Sequence, residues 1–182
     1  AVRDQKLGVR ELLRSSGLHN RVYVLGKFAG VALSMISIEL LTILLISTFS
    51  IVLYSLPLYY ILDSLLAVFT ISAPGILFIT AFSISVPLFI PIRVYQILFT
   101  GYWYWGNYLS PTVLPTVSDT VLNACGKFAL QGLYHVQITA NDPSITVLQV
   151  LMNIGVLLLF AGLALTAMII LIGNRENRDK AF

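Results

Sequence analysis

Four long apolar stretches, separated by more polar segments, dominate the pattern of hydrophobic and polar positions in this sequence. They cover residues 28–53, 59–82, 86–105 and 145–172. A helix of about 20 residues crosses the ~30 Å hydrocarbon core of a bilayer, so each stretch is long enough to be a transmembrane helix. The predicted fold class is therefore all-α, a polytopic membrane bundle of four transmembrane helices that forms a single domain.

The boundary between the second and third stretches is the least marked, because the segment SISVPLFIP at residues 83–91 is itself apolar. About 45 apolar residues in a row are too many for one span, so we interpret this segment as a tight cytosolic turn. Pro74-Gly75 is expected to kink the second span, and Pro87 and Pro91 lie at the start of the third.

Residues 1–27 are predicted to be cytosolic and to contain a short amphipathic helix. Apolar and charged residues there have the spacing of two separate helical faces, namely Val9, Leu12 and Leu13 against Arg10, Glu11 and Arg14. Ser15-Ser16-Gly17 ends this helix, and a new helix starts near Asn20 and continues into the first span. A helix of this kind either docks a cytosolic partner or rests on lipid headgroups.

The segment at residues 106–142 is predicted to be external. It is too long for a simple turn, and its many apolar residues make a freely solvated loop improbable. Short helices lying in the membrane interface satisfy both conditions, and irregular backbone at that depth has to be covered by protein. Residues 173–182 are predicted to be a cytosolic tail, and the polar, basic start without Met is expected to reflect a chain truncated at its N-terminus.

The distribution of basic residues predicts the orientation. Six of the eleven precede the first span and three follow the last one, which leaves Arg93 and Lys127 between them. Short loops rich in Lys and Arg stay in the cytoplasm, so four spans would place both ends and Arg93 inside and only Lys127 outside. Arg21, Lys27 and Arg93 are then expected to anchor helices at the inner surface by snorkelling.

Composition excludes several classes of protein. The chain is 58% hydrophobic and only 10% charged, whereas soluble domains carry about 25% charged residues. The net charge of +3 comes from residues that flank spans, so it indicates no nucleic-acid partner. The single cysteine, Cys125, excludes an internal disulfide framework and is expected to be a small apolar residue.

The sequence also lacks the patterns of an enzyme or a metal protein. A phosphate-binding loop needs Gly-Lys-Ser/Thr, but Gly26-Lys27 and Gly126-Lys127 are each followed by Phe. His19 and His135 fall on opposite sides of the predicted membrane, so they cannot share a metal ion. No nucleophile, base and orienting acid cluster within the spans. We therefore expect no catalytic site, no metal site and no cofactor in this chain.

Few polar residues remain as candidates for function. Glu39 lies near the middle of the first span, where a charge costs about 2.5–3.5 kcal/mol and is a functional candidate by default; a hydrogen-bonded packing role is equally compatible. Asp63 is interpreted as a solvated helix end. Aromatic residues cluster at the outer end of the third span, and Trp103 and Trp105 among them are expected to be interface anchors.

Two stretches of the sequence resemble type-2 ABC exporter permeases. The pattern ELLRSSGL at residues 11–18, then Arg21 and Leu25-Gly26-Lys27, is similar to the cytosolic loop that often reads E-x-L-x-S-x-P-L-S-R-x-x-x-x-L-G-K in that family. This chain has Gly17 where Pro is common and His19-Asn20 where Ser-Arg is common. Segments YWYWGN, LPT and GKFA, at residues 102–107, 114–116 and 126–129, are similar to the external segment of some bacterial members.

The resemblance implies a subunit of six spans with a coupling helix between spans two and three and short external helices between spans five and six. The four spans here would then be spans three to six. It further implies a second permease subunit, in a homodimer or heterodimer, and a separate P-loop subunit that holds ATP and magnesium. Contacts with that subunit would involve residues of the coupling helix, namely Glu11, Leu12, Arg14 and Leu18.

We interpret the chain as the C-terminal part of a permease in a bacterial inner membrane, which exports a substrate by alternating access. Two other interpretations stay open. One is a non-transporting structural or anchoring subunit of a membrane complex, and the other is an ion-coupled carrier that uses Glu39. No polar constellation in the sequence selects a substrate.

Overall fold

A computed structural model describes residues 19–109, 115–137 and 144–179, with side chains in the last segment up to residue 174. Every regular element in these ranges is helical. The α-helices are α1 (Asn20–Tyr54), α2 (Tyr59–Ala67), α3 (Ala73–Ser85), α4 (Ile92–Gly101), α5 (Lys127–Tyr134) and α6 (Val147–Asp179). Two π-helical turns, Val68–Ser72 and Tyr102–Gly106, and one 3₁₀ turn, Val86–Leu88, continue the helices beside them.

Three helical stretches in the described part are long and apolar enough to cross a membrane. They are Asn20–Tyr54, Tyr59–Leu88 and Val147–Asn174. The predicted spans at residues 28–53 and 59–82 lie inside the first two, and the span predicted at residues 145–172 overlaps the third almost completely. In the part of the chain that the structure describes, the protein is thus all-helical, with the features of a multi-pass membrane protein.

A π-helical turn interrupts the second stretch just before its proline. Pro74 has no N–H to donate to the carbonyl four residues earlier, and the turn at Val68–Ser72 changes the hydrogen-bond register in that place. Helix α3 then starts with the proline in its first turn, where the missing donor costs nothing. The irregularity expected at Pro74-Gly75 therefore takes the form of a π-helical turn.

Helix α4 forms a hairpin with α3. After the 3₁₀ turn at Val86–Leu88 the chain reverses direction, and α4 starts at Ile92. The hydroxyls of Ser83 and Tyr95 lie 2.8 Å apart, and the ring centroids of Phe78 and Tyr102 are 6.2 Å apart. These contacts at two levels place α4 antiparallel to α3 along most of its length, with large aromatic side chains between the two helices.

The third predicted span, residues 86–105, differs in its bounds. Residues 86–88 belong to the end of the preceding helix, and the returning helical stretch runs from residue 92 to residue 108. This is shorter than the ~20 residues of a typical span, and the stretch is not one of the three described above. Four membrane crossings therefore stay a prediction.

The bundle core joins three elements at one end of the molecule. Its buried side chains come from the start of α1, the end of α3 and the second half of α6, namely Val24, Ala81, Ile84, Ala161, Leu165, Met168 and Ile172. Arg21 and Lys27 in α1, and Arg93 at the start of α4, lie at this end, which we call the basic end. The start of α6 and helix α5 with Lys127 lie at the opposite end.

The surface of α1 illustrates how a helix is adapted to lipid. Its exposed residues are mostly Leu, Ile, Val and Phe, for example Leu33 and Phe49. The hydroxyls of Ser34, Thr42 and Thr48 each donate to the backbone carbonyl four residues earlier, at 2.7–2.9 Å. Their polar groups are satisfied within the helix, so this surface presents little unmet hydrogen-bonding capacity to hydrocarbon.

Candidate functional site

Residues 115–136, which we call the cap, fold back onto the end of the bundle opposite the basic end. Most of the cap before α5 has no regular structure, so its buried backbone groups need partners from elsewhere. Three asparagines supply them: Asn107 after α4, Asn123 in the cap and Asn153 in α6. Each is at most 3% exposed to solvent.

The amide groups of these asparagines connect the cap to two helices. Asn107 accepts a hydrogen bond from the Ala124 N–H at 2.8 Å. The Asn123 amide nitrogen donates to the carbonyls of Ser118 and Asn107, at 3.0 and 3.2 Å. Asn153 donates to the carbonyls of Val121 and Asn123, both at 2.8 Å. The cap is therefore held by side chains from both α6 and the end of the α4 stretch.

Close backbone approaches complete the seating of the cap. A Cβ atom on Gly75 would collide with the carbonyl oxygen of Ala124. Gly126 has φ +79°, which glycine adopts without strain, and a Cβ there would collide with Ile71. The Tyr102 hydroxyl also donates to the Leu122 carbonyl at 2.7 Å. The α3 helix and the cap thus touch where only glycine fits.

A line of polar side chains, which we call the polar stripe, runs along the outer face of α4 and its continuation. The residues are spaced by three or four positions, as one helical face requires, and all are exposed, namely Arg93, Gln96, Thr100, Tyr104 and Tyr108. The opposite face, with Tyr95 and Tyr102, packs toward α3. This helix consequently presents a line of polar groups between exposed apolar side chains such as Ile97 and Leu98.

A shallow hollow of about 470 Å³ lies along the polar stripe. Its lining combines an amide, hydroxyls and aromatic rings with backbone, namely Gln96, Ile97, Thr100, Gly101, Tyr104 and Trp105. Such a mixture of rings and hydrogen-bonding groups is typical of surfaces that bind organic molecules. It differs from the exposed surface of α1, where hydroxyls bond to their own helix.

Glu39 occupies a half-buried position in α1. Within the described residues, no hydrogen bond or ion pair involves its carboxyl group. Of its neighbours one turn away on the helix, Met35 is exposed and apolar, and the exposed Thr42 hydroxyl donates to the Ile38 carbonyl. No described residue thus pairs with Glu39, and its role stays a prediction.

The predicted interface anchors occupy different environments. Arg21 and Arg93 are exposed at the basic end, and the Lys27 ammonium lies 5.8 Å from the centre of the Tyr23 ring. Trp103 packs against the small buried cluster around Phe78, whereas Trp105 is 68% exposed. Trp105 has the exposure that an anchor in the headgroup layer needs, and the anchor role of Trp103 stays a prediction.

The predicted ATPase contacts, Glu11, Leu12, Arg14 and Leu18, lie outside the described residues. In the part that is described, no three His, Cys, Asp or Glu side chains come together as a metal site would require. Comparison with protein-family models, with curated proteins and with solved structures gave no match.

The asparagine network and the polar stripe were not predicted from the sequence. A signal for each was present: Asn153 is an amide inside an apolar span, and Gln96 and Thr100 are separated by one helical turn. Pairing of Asn123 with groups 16 and 30 residues away, however, depends on tertiary contacts that spacing alone does not reveal.

Proposed function

We propose that this chain is the transmembrane permease subunit of an ATP-driven ABC exporter, which moves a substrate out of the cell by alternating access. The polar stripe on α4 is the observation that carries the transport function. The resemblance of residues 11–27 to the coupling segment of type-2 exporter permeases supports the choice of an ATP-driven mechanism.

The physical argument starts from the position of α4. It lies alongside α3, part of a helical stretch that is apolar enough to cross a membrane. Polar side chains facing hydrocarbon at that depth are costly and usually face a bundle interior or a water-filled cavity. The exposed Gln96 and Thr100, which follow the interface residue Arg93 along α4, are thus better suited to a polar passage than to lipid.

The same argument supports α4 as a fourth, short crossing. A second permease subunit facing the stripe would enclose a passage between the two copies. The short helix α5, located between α4 and α6, corresponds to the external helices that the resemblance implies. In this proposal the basic end faces the cytosol of a bacterial cell, in keeping with the positive-inside rule.

The partner subunit would bind ATP and magnesium and would dock on the cytosolic helix around Glu11, Leu12, Arg14 and Leu18. Closure of two such subunits around ATP would move that helix and, through α1, the bundle. The chain itself would then perform no ATP hydrolysis and would contribute only the passage.

Cysteine labelling tests the passage without knowledge of the substrate. In a Cys125→Ser background, Gln96→Cys and Thr100→Cys are expected to react with a water-soluble methanethiosulfonate in membranes, because water reaches their side chains. Leu33→Cys on the exposed surface of α1 is the matched control and should stay unlabelled in hydrocarbon. Equal, negligible labelling at all three positions would contradict an aqueous passage and favour a structural subunit.

Co-purification tests the ATPase partner. The native full-length protein is expected to retain a P-loop ATPase in mild detergent, and Glu11→Lys combined with Arg14→Glu should release it without impairing membrane insertion. Arg93→Glu, a charge reversal elsewhere at the basic end, is the control. Retention of the ATPase by the double variant would refute the docking site, and transport that ignores ATP but is lost in Glu39→Gln would indicate an ion-coupled carrier.

A further inference from the structure

A second cavity, of about 330 Å³, lies at the cap end between α5 and the start of α6. Nothing in the proposed transport path involves it. It is lined by charged, amide and apolar side chains, namely Asp119, Val121, Lys127, Phe128, Gln131, Ser144, Ile145, Gln149 and Met152. Its volume falls in the range of about 300–1,000 Å³ that is typical of small-molecule sites.

The walls of this cavity are fixed by contacts on two sides. On one side, Asn153 of α6 donates to the carbonyl of Val121, so the cap wall is tied to the helix wall. On the other, α5 approaches α6 so closely that a Cβ on Gly132 would collide with the Val150 side chain. The cavity is therefore formed before any ligand enters, which lowers the ordering cost of binding.

Opposite charges border the same space. The Lys127 ammonium lies 2.7 Å from an Asp119 carboxylate oxygen, and their side chains are 15% and 42% exposed. Asp119 is the more exposed partner, and charge-assisted contacts with a ligand can replace the contact between the two side chains. Lys127 and Asp119 can then each hold a group of the opposite charge on one ligand.

The remaining lining defines the rest of the ligand. Gln131 is a nearly buried amide beside the ion pair, and an amide can both donate and accept. The Gln149 side-chain oxygen accepts from the Thr146 N–H at 2.8 Å, which fixes the first turn of α6. Phe128, Ile145 and Met152 supply apolar surface.

We propose that this cavity binds a zwitterion whose ammonium and anionic groups lie close together beside an apolar portion. The anionic group would contact Lys127, the ammonium group would contact Asp119, and the apolar portion would lie against Phe128 and Met152. A phospholipid with an ethanolamine headgroup and a free apolar amino acid share this chemistry. The proposal goes beyond the exporter function and does not rest on it.

Binding measurements on the purified full-length protein distinguish the two candidate ligands, a phospholipid and a free amino acid. The probes are L-leucine, O-phosphoethanolamine and dioleoylphosphatidylethanolamine, with dioleoylphosphatidylglycerol as a lipid that has the anion but no ammonium group. Tighter binding of the ethanolamine lipid than of both soluble zwitterions identifies a lipid site, whereas saturable binding of L-leucine identifies a solute site. If none of the zwitterions binds better than the glycerol lipid, the proposal is wrong.

Variants locate the binding. Lys127→Met and Asp119→Asn each remove one charge-assisted contact and are expected to weaken binding at least about tenfold. Met152→Trp fills the cavity while leaving the ion pair intact, so it should abolish binding even if the charge variants fold poorly. Arg21→Met, at the basic end and outside the polar stripe, should bind as the parent does. Unchanged affinity in Met152→Trp and in both charge variants would overturn the proposal.

Discussion

At the scale of single residues, the asparagines show how polar backbone is accommodated beside an apolar bundle. An amide carries a donor and an acceptor but no charge, so its burial avoids the large desolvation cost of an ion. Asn123 uses both: its nitrogen donates to two carbonyls, and its oxygen accepts from the Cys125 N–H at 3.1 Å. One fully buried side chain thus satisfies three backbone groups of the cap.

Replacing Asn123 should therefore destabilise the cap. Asn123→Ala leaves two carbonyls and one N–H without these partners, and each buried unsatisfied group costs about 1–3 kcal/mol. We expect a loss of at least about 2 kcal/mol and a lower midpoint of thermal unfolding in detergent. Asn123→Asp, which keeps an oxygen near the Cys125 N–H but loses the donor, should also be destabilised.

Gln137→Ala is the control for these variants, because Gln137 is an exposed amide just beyond the cap. It should unfold at the temperature of the parent protein. If Asn123→Ala also unfolded at the temperature of the parent protein, the asparagine network would contribute nothing to stability.

At the scale of helices, the contact between α3 and the cap depends on a glycine. Gly75→Ala places a methyl group against the Ala124 carbonyl oxygen, and because that atom belongs to the backbone, the cap has to shift. Overpacking of this kind costs about 1–3 kcal/mol. We expect faster proteolysis within the cap in Gly75→Ala than in the parent protein.

The matched variant is Gly155→Ala in α6. A Cβ at Gly155 meets nothing within 4 Å, and alanine is the better helix former by about 1 kcal/mol. Its stability should be equal to that of the parent or higher. Equal proteolysis rates in the two variants would show that the cap does not rest on α3 as described.

The helices were predictable to different degrees. The stretches that contain α1, α3 and most of α6 follow directly from runs of apolar residues that are long enough to cross a membrane. The start of α4 was not predictable in the same way. Pro87 is compatible with the first turn of a helix and also with the 3₁₀ turn that it occupies. Contacts with α3 decide between the two, and they join residues that spacing alone does not pair.

The glycines of the last span, Gly155 and Gly162, show the same difference between sequence pattern and structure. Small residues in a span permit close approach of another helix, but a Cβ at either position would meet no other described element within 4 Å. Gly75 and Gly132, which do meet neighbouring elements closely, lie in less regular sequence contexts. Whether a glycine supports packing is therefore decided by the arrangement of the helices.

At the scale of the whole molecule, the two ends of the bundle differ in charge. Arg21, Lys27 and Arg93 lie at the basic end, whereas Lys127 lies at the cap end in an ion pair with Asp119. This separation arises because α1 runs away from the basic end whereas α3 and α6 both run toward it. It matches what the positive-inside rule requires of one cytosolic face. Measuring which side of the membrane each end faces tests this orientation.

Single cysteines report this sidedness. In the Cys125→Ser background, His19→Cys, Phe89→Cys and His135→Cys place exposed thiols before α1, in the turn before α4 and after α5. If α4 crosses the membrane, an impermeant maleimide added to intact cells should label only His135→Cys. The other two should react only after permeabilisation, because the basic end would face the cytosol.

Labelling of Phe89→Cys and His135→Cys from the same side would mean that α4 does not cross, and the membrane would then hold the three long helices alone. The polar stripe would in that case lie in or near the interface, where an Arg, an amide and hydroxyls are stable without a passage. Labelling of the two cysteines from opposite sides, by contrast, would mean that the polar stripe lies at bilayer depth. The cost of exposing it to lipid would then require a polar passage or another protein along α4.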